Sequence, residues 1–496
     1  MKKVLIIGAG VTGLAAGIRL AKKGYHVEIF EKNNKPGGRM NQIELEGFKF
    51  DLGPTILMMP EIYKEVFKVA GVNPDDYLSM TQLDPLYKIY FSDGTIHSAS
   101  SDLTKMISTL EEVSLQEASG FLRYLSDIYT RYLIAKDHFI EKAFRKPTDF
   151  YNPKTLYQGL KLKTFDSAYK SIGKFVKDPK LQEILSFQTL YIGLSPFNGP
   201  SIYTIIPMIE LIYGIWFLKG GMYAYTKALE KLFIELGGVI NYSAPVEKII
   251  IENKKATGIK ISDTTIPGDI IVNTSDFPYA LDQLTPEYKV GKYRKSNLNK
   301  LEYSCSCFML YLGLNKRDFP GLDIHNLSFS GDFTGNINDI FSGKYPDDAS
   351  LYVYAPGLLD ETLAPLGQLG IYVLVPVPNL LDGKVDWNDS TSIKRIKDDV
   401  YNKIENIKPL KDFKKHVIAE KIYTPINFKE DFNLMHGATF GLKPTLLQSN
   451  YYRPQPKARN IDNLYFAGSS NHPGAGVPIV LTSAKLVVEE ILKDDK

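Results

Sequence analysis

Two cysteines, two tryptophans and seven histidines in 496 residues are few, and each scarcity removes a class of function. Cys305 and Cys307 fall in the run SCSCF. Two residues apart on an extended strand they share a face, with their Cβ atoms badly placed for a disulfide. They read as small core hydrophobes of a protein in a reducing, cytoplasmic compartment. With so few Cys and scattered His, no metal-ligand spacing arises and no metal site is expected. Charge is nearly balanced, with 59 Lys and Arg against 56 Asp and Glu, which argues against a nucleic-acid partner. No uncharged apolar run reaches the roughly 18 residues of a spanning helix. Met1-Lys2-Lys3 before an apolar run imitates a secretory signal. That run carries glycines and Arg19 and lacks a small-residue cleavage site, so it reads as mature structure. Aromatics, by contrast, reach 12%, with 31 Tyr and 26 Phe, enough to cover large apolar surfaces.

The first informative stretch is Lys3–Glu31, KVLIIGAGVTGLAAGIRLAKKGYHVEIFE. The apolar run Val4–Ile7 suits a buried parallel strand, and Val11–Lys23 has helical periodicity. Gly24 stops the helix and His26–Phe30 forms a second strand, ending on Glu31. This is the spacing of a dinucleotide fingerprint. Gly8 permits the tight turn, Gly10 admits a pyrophosphate, and Gly13 lets helix and strand pack closely. The helix N-terminus faces the phosphates, and Glu31 would accept ribose hydroxyls. The motif itself leaves FAD and NAD both open. Beyond it, Gly37-Gly38-Arg39 forms a loop that delivers a cation, to pair with cofactor phosphate or to close over the ring side.

Farther along, Tyr87–Ile96 reads as a hairpin turning at Asp93-Gly94. From about Asp102 to Leu218 the pattern is mostly helical, broken by Pro147, Pro153, Pro179, Pro196 and Pro200. Within it, Phe139–Lys180 interleaves aromatics with ten Lys or Arg. That combination suits an anionic membrane surface, and equally a solvated face with its aromatics turned inward. Tyr203–Leu218 is very apolar but short, leaving core helix, tunnel wall and interfacial dip open. Tyr223–Leu236 is an amphipathic helix closed by Gly237-Gly238. The strand-like runs after it return to the nucleotide domain, with Asp269–Asn273 joining its sheet. Phe308–Leu314, Leu351–Ala355 and Ile371–Pro376 suit a second, mixed sheet, with a helix at Ser390–Ile407. At the other end, strand Leu464–Ala467 meets a Gly/Ser turn, then HPGAGVP, then a helix from Val477. Glycine cradles at both ends of one chain suit a large two-part cofactor such as FAD.

Gly8–Glu31, Gly37-Gly38-Arg39, Asp51-Leu52-Gly53-Pro54-Thr55, Gly220-Gly221-Met222 and His472–Pro478 together resemble the bacterial carotenoid (phytoene) desaturases, a branch of the amine-oxidase-like flavoproteins. EKNNKPGGRMNQ, FQTLYIGLSPFNGPSIYTIIPMIE and HPGAGVPIVLTSAK are most similar to its C30 group, the dehydrosqualene (4,4′-diapophytoene) desaturases. The resemblance implies an α/β fold: a Rossmann-like FAD-binding domain (1–85, 219–300, 440–496), a mixed-sheet substrate domain (86–114, 301–439) and a helical, membrane-associating region (115–218). It implies an acyclic polyene hydrocarbon substrate and peripheral attachment to the inner face of the cell membrane, and leaves the oligomeric state open. Gly8, Gly10, Gly13, Glu31, Gly38 and Arg39 would hold the adenine-side half of FAD. Gly468, Ser469, Gly476 and Val477 would lie toward pyrophosphate, ribitol or ring, and Gly53, Pro54 and Thr55 would also bind the cofactor. Where many such flavoproteins carry an acid, Ser469 and Ser470 stand.

The implied reaction is hydride loss from an allylic carbon followed by proton loss from its neighbour. Glu210 and His472 are the candidate proton acceptors, Glu210 more readily read as a salt-bridged or exposed helix residue. Open alternatives are a C40 desaturase, a paralogue oxidising terminal methyl groups, an amine or protoporphyrinogen-type oxidase, and a flavin-free prenyl-lipid chaperone.

Overall fold

The computed structural model describes residues 1–285 and 287–495. Lys3–Ile7 is the middle strand of a five-stranded sheet ordered Leu464–Phe466, Ile270–Asn273, Lys3–Ile7, His26–Phe30, Val239–Asn241. All its pairings are parallel, with Val4 beside Ile270 and Val27. Alternation sorts the faces. Val4 and Ile6 pack beneath the helices Val11–Lys22, Tyr223–Glu235 and Val477–Asp494. Leu5 and Ile7 pack against an antiparallel layer of Lys248–Glu252, Lys255–Ile261 and Thr264–Pro267. Burial on both faces explains the near-continuous apolar run. The N-terminal and C-terminal segments therefore meet in one sheet.

A seven-stranded sheet follows the order Val417–Tyr423, Ser306–Leu314, Leu369–Val377, Leu351–Tyr354, His325–Ser328, Tyr87–Tyr90, Ile96–Ala99. Only His325–Ser328 against Tyr87–Tyr90 is parallel; the other pairs are antiparallel. Here too residues alternate. Phe308, Leu310 and Leu312 meet Ile396, Val400 and Ile404 of helix Ser390–Glu405. Cys307, Met309 and Tyr311 face the opposite way, into the larger core. The hairpin at Asp93-Gly94 thus contributes its strands to this second sheet.

Between the sheets in sequence lie Leu103–Val113, Leu115–Ala135 and several short helices. Pro147, Pro153 and Pro179 start helices here, because a first-turn residue needs no intrahelical N–H partner. Tyr203–Leu218 divides: helix Ile205–Tyr213 ends at Gly214 in the left-handed region, and Trp216–Leu218 becomes a strand paired with Met80–Gln82. Among the described residues, no helix is long and apolar enough to cross a membrane.

Candidate active site

A cavity of ≈ 420 Å³ opens where the parallel sheet, the mixed sheet and the loops between them converge, within the size range of ligand sites. Gly8 makes the first turn with φ at +101°, a conformation glycine adopts without strain. A Cβ on Gly13 would lie 2.0 Å from the Gly8 carbonyl oxygen, so Gly13 serves packing and does not border the cavity. A Cβ on Gly10 would project into open space, with nothing nearer than the Gly37 oxygen at 4.0 Å. Gly10 precedes helix Val11–Lys22 and Gly476 precedes helix Val477–Asp494, and no side chain caps either helix. Two helix N-termini with free N–H groups therefore border one cavity, as a pyrophosphate-containing cofactor requires. Glu31, buried at the strand end, accepts from Ala9 N–H at 2.8 Å and Asn33 N–H at 2.9 Å, which fixes its carboxylate at the cavity wall.

Arg39 ties the two ends of the chain together. It donates to the Thr439 carbonyl and to Ser469 Oγ, both at 2.8 Å. Burial pulls the guanidinium below its ordinary pKa, and Asp276 opposes that pull. Asp276 also borders the cavity, and sequence reasoning missed it. Ser470 donates to its carboxylate at 2.5 Å and Met435 N–H at 3.2 Å, so an acid does reach the C-terminal turn, from a different strand. Its signal was position, since it follows Ile270–Asn273 and parallel sheets bind ligands beyond their carboxyl ends. Arg453 was missed as well. Fully buried, it donates to the Leu442, Gln448, Ser469 and Asn471 carbonyls and holds that turn.

Three tyrosines of the mixed sheet pin the Leu52–Thr55 loop. Tyr311 donates to Leu52 O at 2.7 Å and Tyr372 to Gly53 O at 2.8 Å, while Tyr352 Oη lies 2.7 Å from Thr55 Oγ1. Beside them the wall is apolar, with Met309, Leu327, Phe329, Phe333 and Leu374. Cys305 and Cys307 also border the cavity, both as free thiols. Burial pushes the Cys305 thiol up to about 12, so it is no nucleophile at neutral pH. One cavity thus offers a polar, backbone-rich end and an aromatic and aliphatic end. Gly38, Gly53, Pro54, Thr55, Gly468, Ser469, Gly476 and Val477 all border it.

Neither candidate proton acceptor does. Glu210 is fully buried in helix Ile205–Tyr213, not salt-bridged or exposed, because it lies on the inward face of that helix. It accepts from Gln188 Nε2 at 3.1 Å, and cavity-bordering Tyr191 faces it. Burial raises its pKa to about 8, opposed by the Gln188 donor and the nearby Tyr87 and Tyr191 hydroxyls. His472 points away from the cavity: Nε2 donates to Lys142 O at 3.0 Å and the ring meets Phe144 edge-on at 5.5 Å. Burial lowers its pKa to about 4, which leaves a neutral ring tying the C-terminal turn to the helical region.

These features define the two-part fold of a flavin-dependent oxidoreductase, in which turns from the first and last strands border one cavity beside an apolar chamber. The chain belongs to the family of flavin-containing amine oxidoreductases, whose family model matches residues 11–492. It is 48% identical over 494 residues, covering 99% of both chains, to a 4,4′-diapophytoene desaturase (4,4′-diaponeurosporene-forming) of Staphylococcus haemolyticus strain JCSC1435. It is 46% identical over 496 residues, again 99% of both, to the protein of that name from Staphylococcus aureus strain MRSA252. Among solved structures, an oxidoreductase from Methanosarcina mazei shares the fold at 17% identity, with a TM-score of 0.64 over 99% of this chain and 100% of that one.

Proposed function

We propose that this protein desaturates an acyclic C30 carotenoid precursor of the 4,4′-diapophytoene type, with FAD as cofactor. The observation that carries the reading is the junction of two uncapped helix N-termini with an aromatic chamber in a single cavity. The near end-to-end identity to desaturases of that substrate supports it. Bound there, FAD would supply the two-electron oxidation of the hydrocarbon. Gly8, Gly10, Glu31, Gly38 and Arg39 hold its adenine-side half, with Gly13 contributing by packing. Gly468, Ser469, Gly476 and Val477 lie toward its pyrophosphate, ribitol or ring, and Gly53, Pro54 and Thr55 complete the cofactor site. The apolar wall excludes water, which would otherwise trap an allylic cation, and its aromatic faces stabilise that charge.

In this reading residues 1–85, 219–300 and 440–496 form the cofactor domain, 86–114 and 301–439 the substrate sheet, and 115–218 the hydrocarbon entry. Entry is from a bilayer, because the substrate dissolves in lipid rather than water. Helix Pro153–Lys161 and the loop after it support this, with Leu160 68% and Phe165 83% exposed among Lys154, Lys161 and Lys163. The protein then works at the inner face of the cell membrane. Expression in cells that supply either C30 or C40 precursor tests the assignment. Conjugated C30 products are expected, whereas conversion of the C40 precursor alone, or aldehydes at terminal methyl groups, would reject it.

A further inference from the structure

Desaturation takes a hydride from one carbon and a proton from its neighbour, and the two acids and bases first suspected lie off the cavity. A different chain of groups reaches it. Thr55 Oγ1 lies 2.7 Å from Tyr352 Oη, which in turn lies 2.6 Å from His325 Nδ1. Thr55 and Tyr352 border the cavity beside Leu327 and Tyr372. His325 stands behind them, buried on the strand His325–Ser328, its ring stacked on Tyr354 at 5.1 Å and 13°.

We propose that Tyr352 takes the proton the oxidised hydrocarbon must lose and hands its own to His325, so that Tyr352 is a catalytic residue and His325 acts through it. The proposal rests on the desaturase reading. After hydride loss, the adjacent C–H bond breaks and its electron pair becomes the new C=C. The proton bonds to Tyr352 Oη, whose own O–H bond breaks, and that proton bonds to His325 Nδ1 to give an imidazolium. Water admitted on product release carries it away by the same route. The hydrogen bonds run in the required direction when Thr55 donates to Tyr352 and Tyr352 to a neutral imidazole. Burial keeps that imidazole neutral, its pKa lowered to about 3. So weak a base suffices, because an allylic cation is a far stronger acid than an imidazolium. The stacked Tyr354 faces the transient charge.

The alternative is that Tyr352 merely pins the Thr55 loop, and His325→Gln separates the two, because it leaves the Thr55–Tyr352 contact in place. Wild type, Tyr352→Phe and His325→Gln are compared as holoproteins for FAD affinity, desaturation rate in H2O and D2O, and the 15N resonances of His325. The relay predicts FAD affinity within about twofold in all three and a roughly 10²-fold slower desaturation in both variants. It also predicts a solvent isotope effect in wild type that disappears in Tyr352→Phe. In wild type His325 Nδ1 resonates as an unprotonated nitrogen and shifts in Tyr352→Phe. Wild-type rates in His325→Gln overturn the relay, whatever Tyr352→Phe does to FAD binding. A protonated Nδ1 in wild type overturns it too, a readout that needs no variant to fold. Wild-type protein that binds FAD yet leaves the C30 polyene unchanged removes the desaturase reading and the relay together.

Discussion

Single residues here are set by burial more than by charge pairing. Glu210 is the sharpest case: its carboxyl, at 4.5 in an ordinary setting, is raised to about 8 by its dry surroundings. A carboxyl raised on folding contributes stability that is complete below about pH 4.5 and lost as pH climbs through about 8, because the folded chain holds a proton the unfolded chain releases. Wild type is expected to lose on the order of 5 kcal/mol across that window through this one group, and Glu210→Gln to lack that slope. Thermal unfolding of both proteins from pH 4.5 to 8.5 checks this, since titrations elsewhere cancel in the difference; parallel curves would contradict it. Arg39→Ala removes a half-buried cation with its two hydrogen bonds to Ser469 Oγ and the Thr439 carbonyl. FAD affinity is expected to fall about ten- to hundredfold, equivalent to about 1.5–3 kcal/mol, read by titrating apoprotein and following flavin fluorescence. The places of Gly8, Gly10, Glu31 and Arg39 at one cavity were legible in the sequence because local spacing sets them. The burial of Glu210 and the turn of His472 away from the cavity were not, since the neighbours that decide them, Gln188 and Phe144, lie on other elements.

Among the elements, strands announced themselves and their partners did not. Apolar runs such as Val4–Ile7 and Phe308–Leu314 gave both sheets, yet Trp216–Leu218 was hidden inside a greasy stretch that reads equally well as helix. The clamp on the Leu52–Thr55 loop was invisible for the same reason: Tyr311, Tyr352 and Tyr372 come from three strands more than 250 residues downstream of the loop they hold. The segment Phe139–Lys180 carried two readings, and its aromatics divide between inside and outside. Phe139 and Phe144 are buried, while Tyr157, Leu160 and Phe165 face outward. If helix Pro153–Lys161 docks on a bilayer, the double variant Leu160→Glu, Phe165→Glu loses binding to vesicles containing anionic lipid, by at least tenfold. Its FAD content and thermal stability stay at wild-type values, because neither side chain enters the core. Undiminished co-sedimentation with such vesicles would remove this helix from the interface.

At the scale of the whole molecule, two sheets built from interleaved segments meet at one cavity, and each supplies what the other lacks. The parallel sheet brings turns, helix N-termini and Glu31, and the mixed sheet brings a dry aromatic wall with the Tyr352–His325 pair. The discontinuous layout follows from the first and last strands sharing one sheet. That much was readable from glycine cradles at both ends, whereas the three-dimensional closeness of wall and cradle was not. The central claim is that a hydrocarbon in the apolar end is oxidised by a flavin at the polar end. Anaerobic mixing of the FAD-loaded protein with 4,4′-diapophytoene in liposomes tests it most directly. The flavin absorbance is expected to bleach in one phase while polyene bands rise in equal amount; flavin that stays oxidised with the substrate present would contradict the account.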